Sequence, residues 1–410
     1  MQAVALYVGA VIGAGVLILP GITAALAGPA SVLAWAIVSL LGVPLALTFA
    51  ALASRYPDAG GVATFTARAF GANWGATTGW FYFVASATGL VLVPLTGAYY
   101  AASPLDLGRS GTFLLAGVLL GTAVASNYWG LRVSGRVQLV LSGSVAVLLL
   151  GATLVSIPRV SLENWTPFLP NGWISVGRAC VLIFFAVFGW EAIAQLSAEF
   201  RDPSRDVARS TLLSVGLITL LYVGVAAATV GTATYGSPGV NRVAVARLLA
   251  NGLGIGAGTV AASMAVLISL ATTNAYVAAT ARLGYALARD GAFPSWLDDL
   301  DERGVPARAV FAVGGLAAIG MLLSYSVGWN PEDIIVVPTS LGLATYIVGS
   351  AAGARLLEGG AKLLAVISLL LCSVVFPFAG AFVGLPVAVA AAAWLFRRQR
   401  DYGGRDRGHY

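Results

Sequence analysis

The sequence predicts an all-α polytopic membrane protein of twelve transmembrane helices, and three observations carry that prediction. The 410 residues are 59% hydrophobic and only 10% charged, with a mean hydropathy of +0.88, whereas a soluble domain carries roughly 25% charged residues. No charged residue precedes Arg55. Long charge-poor runs then recur to the end of the chain, each close to the ~20 residues that a helix needs to cross about 30 Å of hydrocarbon.

In chain order the expected spans are 3–28, 30–53, 75–101, 112–128, 136–157, 174–198, 210–234, 253–288, 307–328, 333–356, 362–383 and 384–397. The first run lacks a basic segment at its start. It therefore reads as a retained span, although "AALAG" (Ala24 to Gly28) mimics a signal-peptidase site. The second ends at the charged stretch opened by Arg55, the sixth at the cluster Glu199 to Asp206, and the eighth at Arg289 and Asp290. The run from Leu363 to Phe396 is divided near Ala379 to Gly384, because a single span there would carry the five arginines of the tail to the outer side. Spans of this length leave short loops and no room for a soluble domain.

Loop charge sets the orientation. With the N-terminus inside, about 18 basic residues fall on the cytoplasmic side and about 5 (Arg109, Arg159, Arg178, Arg242 and Arg247) on the outer side. Lys and Arg accumulate on the cytoplasmic side of membrane proteins, so a multi-pass protein of the cell membrane with both termini cytoplasmic is expected. The same asymmetry accounts for the formal charge of +6 without a nucleic-acid partner. Cys180 and Cys372 each lie in an apolar run, where thiols behave as small hydrophobes.

Two spans are weakened where a membrane helix would be expected to be strong. The first contains "VGAVIGAGVLILPG" (Val8 to Gly21). Its Gly9 and Gly13 form a GxxxG pair suited to close helix packing. Gly15 and Pro20 go further, since each removes helical stability or an intrahelical bond that lipid cannot replace. Broken backbone at mid-depth has to line a cavity. Its free N–H groups can hold a carboxylate at the positive end of a half-helix, and its free carbonyls an ammonium or a cation. The sixth span reads "FFAVFGWEAIAQLSAE", with Gly189 at its middle and Glu191 two residues on. An ionisable group at that depth is either a functional group or a hydrogen-bonded structural tie. Phe184, Phe185 and Phe188 are either lipid-facing bulk or pocket wall, and proximity to Gly189 favours the pocket for Phe185 and Phe188.

Four stretches in this order, "GAVIGAGVLILPG", "SRYPDAGGVATFTARAFG" (Ser54 to Gly71), "FAVFGWEAIAQLSAEFRDPSRDV" and "ARLGYALARDGAFP" (Ala281 to Pro294), resemble the amino acid/polyamine/organocation (APC) transporter superfamily. "NYWGLRVSGRVQ" (Asn127 to Gln138) and the "FGWE" segment look like its amino acid efflux branch, which exports methionine and branched-chain residues. The resemblance implies a LeuT-like five-plus-five inverted repeat followed by two further helices, with helices 1 and 6 discontinuous. The repeats would be 1–157 and 174–356, the extra helices 362–397, and a basic cytoplasmic tail 398–410, all in one domain. It further implies alternating access of an amino acid to a central site. Gly13, Ala14 and Gly15 match the backbone that holds the carboxylate, Val11, Phe185 and Phe188 the carbonyls that receive the amino group, and the Phe185 ring an aromatic gate. Tyr82, Ala85 and Ser86 align near the side-chain pocket. Leu90 stands where an arginine-exchanging relative has a polar amide, so a neutral apolar substrate is expected.

The lysine that some relatives carry in the fifth span is replaced by Val145, and Lys362 lies near a loop. Coupling is therefore expected to use Glu191 as a titrating group, or a sodium ion held by first-span carbonyls with Ser269, Thr272 or Thr273; the proton is favoured. Opposite charges on the loops after spans two, six and eight could latch an inner gate. Membrane-embedded catalysis is not expected, because the sole histidine is His409 and no metal-ligand cluster or carboxylate pair occurs at membrane depth. No cofactor or metal is expected either. Two other functions stay open: an amino-acid sensor that binds without transport, and a carrier for cationic amino acids or polyamines.

Overall fold

A computed structural model describes residues 11–56, 61–130, 135–190 and 203–405, and every helix and strand assignment within them is helical. In chain order the helices are α1 (Gly15–Ala27), α2 (Ser31–Arg55), α3 (Gly61–Phe70), α4 (Ala72–Leu105), α5 (Arg109–Tyr128), α6 (Gly135–Ser156), α7 (Gly172–Val187) and α8 (Pro203–Gly231). They continue with α9 (Pro238–Asn241), α10 (Ala244–Leu253), α11 (Ile255–Arg289), α12 (Ala307–Val327), α13 (Pro331–Leu356), α14 (Gly359–Val375) and α15 (Leu385–Arg405).

Eight helical runs among the described residues are long and apolar enough to cross a membrane. Two of them, Gly15–Arg55 and Gly359–Gln399, are 41 residues long, twice what one crossing needs. Each is interrupted. The first is broken by the 3-10 turn Gly28–Ala30, where Gly28 has φ 61°, and the second by the 3-10 stretch Phe376–Gly384, where Gly380 has φ 62°. Positive φ of this kind suits glycine because it has no Cβ to clash with the following carbonyl. Helices α3, α9 and α10 were not anticipated among the expected spans. They are too short to cross a bilayer, and α10 is strongly amphipathic, with Ala244, Val245, Leu248 and Leu249 buried on one face.

Helix α4 runs through the interior, with α11, α13 and α5 packed on it, while α1 and α7 pack on each other and α2 packs on α8. The outer helices carry the apolar surface that lipid would cover: Leu114 on α5 is 72% exposed and Leu322 on α12 is 66% exposed. Pro44, Pro94 and Pro338 lie inside α2, α4 and α13. Each removes a donor from a helix that lipid cannot resupply, so a neighbouring group must compensate. Close to Pro94 a side chain enters the ladder: Gly97 N donates to Ser269 Oγ at 3.1 Å, and Ser269 donates in turn to Val93 O. The hydroxyl thus stands between two peptide groups that an unbroken α4 would join directly. Gly97 makes the approach possible, since a Cβ there would lie 2.6 Å from Ser269 Cβ.

Ion pairs among the described residues are Arg55–Glu358, Arg303–Asp301 and Arg308–Asp299. Of the charges on the loops after spans two and six, Asp58, Glu199, Arg201 and Asp202 lie outside the described residues.

Candidate functional site

Both weakened spans are broken. Ile12 and Gly13 are non-helical, Ala14 forms a turn with helical dihedrals (φ −62°, ψ −22°) before the start of α1 at Gly15, and the first turn is tightened by Leu17 N donating to Ala14 O at 3.1 Å. Ala14 supplies no side-chain cap, and no acceptor among the described residues meets the N–H of Gly13, Ala14, Gly15 or Val16. The start of a helix leaves up to four donors of this kind, and with the helix dipole behind them they form an anion site. Val11, Ile12 and Ala14 are buried.

Helix α7 ends at Val187, after which Phe188 is extended (φ −70°, ψ 117°) and Gly189 takes φ 143°. That φ is unfavourable for any residue with a Cβ. Glu191 lies outside the described residues. The break is held by tyrosines from other helices: Gly189 N donates to Tyr346 Oη at 3.1 Å, and Tyr222 Oη donates to Ala186 O at 3.0 Å. Across the site, Tyr100 Oη donates to Leu17 O at 2.7 Å, within the first turn of α1 and three residues before Pro20.

The two breaks meet at the Phe185 ring. A Cβ on Gly15 would lie 2.9 Å from Phe185 Cδ1, and one on Gly89 would lie 3.4 Å from Phe185 Cε2. Phe188 is seated likewise against Gly342, whose Cβ would fall 2.8 Å from the ring, and it stacks between Tyr82 and Tyr346 at centroid distances of 5.5 and 5.3 Å. Close contact through glycine lets both rings fill the middle of the protein. The remaining cavity, lined by Ala85, Ser86, Phe184, Phe185, Phe188, Tyr276, Pro338 and Thr339, is about 10 Å³, the room of about one water. Among the described residues the cavity at this point is too small for an amino acid, and the two aromatic rings occupy the space around it. Larger cavities, of about 390 and 360 Å³, lie away from the breaks, around Arg247 between α10 and the end of α4.

Most of the residues named from sequence share this centre: Gly15 and Phe185 touch, Ala85, Ser86, Phe185 and Phe188 line one cavity, and Tyr82 stacks on Phe188. Thr272 turns its methyl toward Gly13, at 3.7 Å from where a Cβ would stand. Ser269 and Thr273 are fully buried and bonded to backbone, Ser269 to α4 as above and Thr273 Oγ1 to Ser269 O at 2.7 Å. Val145 is fully buried. The contribution of α13 went unnoticed in the sequence: Pro338, Thr339, Gly342 and Tyr346 all reach the site. A proline and small residues in the middle of an apolar span, "PTSLGLATY", were the available signal.

The sequence profile of the amino acid permease family matches residues 1–402. The chain belongs to that family. It is 32% identical to the uncharacterized amino acid permease YecA of Bacillus subtilis, over 98% of this chain and 95% of that protein. It is 28% identical to the L-methionine/branched-chain amino acid exporter YjeH of Escherichia coli, over 97% of this chain and 95% of the exporter, and 28% identical to the branched-chain amino acid permease BcaP of B. subtilis, over 77% and 72%. These relatives are transporters, and the family resemblance drawn from the four motifs is borne out. This permease is accordingly a multi-pass membrane protein whose work is amino acid transport.

Proposed function

We propose that this permease carries neutral, apolar L-amino acids, of the methionine and branched-chain type, by alternating access, with coupling to protons or by exchange. Twelve crossings arranged as two inverted repeats of five and a final pair, with both termini cytoplasmic in the cell membrane, form the frame of this reading. The observation that carries it is the pair of facing breaks, with the donor-rich start of α1 against the Phe185 ring near the end of α7. One break offers N–H groups to a carboxylate and the other carbonyls to an amino group, which suits a zwitterion.

The apolar class is supported by the lining. Ala85, Phe184, Phe185, Phe188 and Pro338 dominate the cavity wall, and Leu90 is fully buried nearby on α4. A charged side chain buried there without a partner would cost several kcal/mol by order of magnitude. The printed substrates of YjeH and BcaP point the same way. Sodium is disfavoured as the coupling ion because Ser269 Oγ already accepts from Gly97 N and donates to Val93 O; Glu191 is the residue we assign to proton coupling.

Counterflow in proteoliposomes tests the reading. Vesicles loaded with unlabelled leucine should accumulate labelled Met, Leu, Ile or Val and exclude Arg, Lys and Glu. Equal or better exchange of arginine would contradict the apolar assignment, and stoichiometric binding without exchange would mark a sensor instead of a carrier.

A further inference from the structure

Two tyrosines outside the substrate-facing motifs control the chemistry of the broken end of α7. In a continuous helix Phe185 O would accept from Gly189 N, and Ala186 O from Trp190 N. Neither bond is made. Gly189 N–H goes instead to Tyr346 on α13, at 3.1 Å, and Ala186 O is claimed by Tyr222 on α8, at 3.0 Å. Both tyrosines are fully buried; the Tyr222 bond is buried and the Tyr346 bond partly so. Their hydroxyls are also fixed in advance by ring packing. Tyr346 stacks on Phe188 and packs against Phe49 at 5.2 Å, and Tyr222 meets Trp35 edge-on at 5.3 Å.

The two bonds have different consequences. Tyr222 removes one carbonyl from use. Tyr346 removes the donor that would have closed on the neighbouring carbonyl, so Phe185 O has no hydrogen-bond partner among the described residues. Phe185 is half-buried, and an acceptor left without a donor at such a place is open to one that a ligand supplies. We propose that Tyr346 and Tyr222 are positioning residues that select Phe185 O as the acceptor for the amino group of the substrate, Tyr346 by holding it open and Tyr222 by withholding Ala186 O. This rests on the amino acid carrier reading above and adds the residues that set its specificity for an α-amino group.

The test compares leucine with 4-methylpentanoate, the same molecule without its amino group, by equilibrium binding to the purified full-length protein in nanodiscs. Tyr346→Phe keeps the ring and loses the acceptor, which frees Gly189 N–H to close on Phe185 O. Leucine affinity should fall about tenfold or more while 4-methylpentanoate affinity holds within about twofold, so the ratio between them collapses. Tyr222→Phe releases a second carbonyl, and its ratio should stay at or above that of the parent. A loss shared equally by both ligands in Tyr346→Phe, or no loss, would overturn the proposal. A collapsed ratio in Tyr222→Phe would do the same, and that arm stands even where Tyr346→Phe does not fold. If the parent protein binds no amino acid at all, it is the carrier reading that fails.

Discussion

Substitution of Gly15 by Ala inserts one methyl group at the contact between the two broken spans. Its Cβ would stand 2.9 Å from Phe185 Cδ1 and 3.0 Å from Cε1, whereas carbon atoms rest at about 3.5–4.0 Å. The ring must therefore withdraw by roughly 0.5–1 Å. The adjoining cavity gives it little room to do so, being about 10 Å³. Overpacking of this kind costs about 1–3 kcal/mol, and here that cost falls on the closed arrangement. The corresponding shift in the balance between closed and open states is about 5- to 150-fold. Leucine counterflow is the assay, with Gly117→Ala as the control, since a Cβ at Gly117 on α5 meets nothing within 4 Å. The expected outcome is at least a fivefold fall in rate for Gly15→Ala, with Gly117→Ala within about twofold of the parent. Parental kinetics in Gly15→Ala would refute the idea that transport passes through this ring contact.

Phe185→Ala should impair counterflow severely while membrane insertion and detergent stability survive; kinetics equal to the parent would remove the gate assignment. Ser269→Ala leaves Gly97 N–H and Val93 O without the hydroxyl that joins them, at a cost of about 1–3 kcal/mol, so its melting temperature should fall by the same amount with and without sodium. A sodium-dependent difference would restore Ser269 as an ion ligand. In the loop between α11 and α12, the backbone N–H of Val305, and then Arg303, hold the Asp301 carboxyl below its ordinary pKa. Asp301 therefore contributes stability that is present above the unfolded carboxylate pKa and is lost as pH falls through the depressed folded value. The difference in melting temperature between Asp301→Asn and the parent should accordingly be visible at neutral pH and vanish in strong acid; a difference independent of pH would show that the charge is irrelevant.

Much of the architecture could be read from residue order because a bilayer imposes length and hydropathy on every crossing. The breaks were legible for the same reason: Gly13 in one span and Gly189 in another are expensive in lipid and stand where backbone leaves the helix, whereas Pro20 lies inside α1, which stays helical through Ala27. Helices α3 and α10 escaped notice because they are 10 residues each, below the length at which an apolar run declares a crossing. The roles of Tyr222 and Tyr346 were invisible for another reason. A tyrosine within an apolar span looks like ordinary bulk until the fold brings its hydroxyl to a peptide group 36 or 157 residues away. The closure of the central cavity was likewise hidden, because it depends on Gly15, Gly89 and Gly342 facing two phenyl rings from three different helices.

The most direct test is an experimental structure of the permease with leucine or methionine bound. The account predicts the ligand carboxylate within hydrogen-bond distance of the N–H groups at Gly13 to Gly15, its amino group on Phe185 O, and the Phe185 ring displaced from Gly15. A ligand seated elsewhere, with both breaks untouched and the ring still on Gly15, would contradict it.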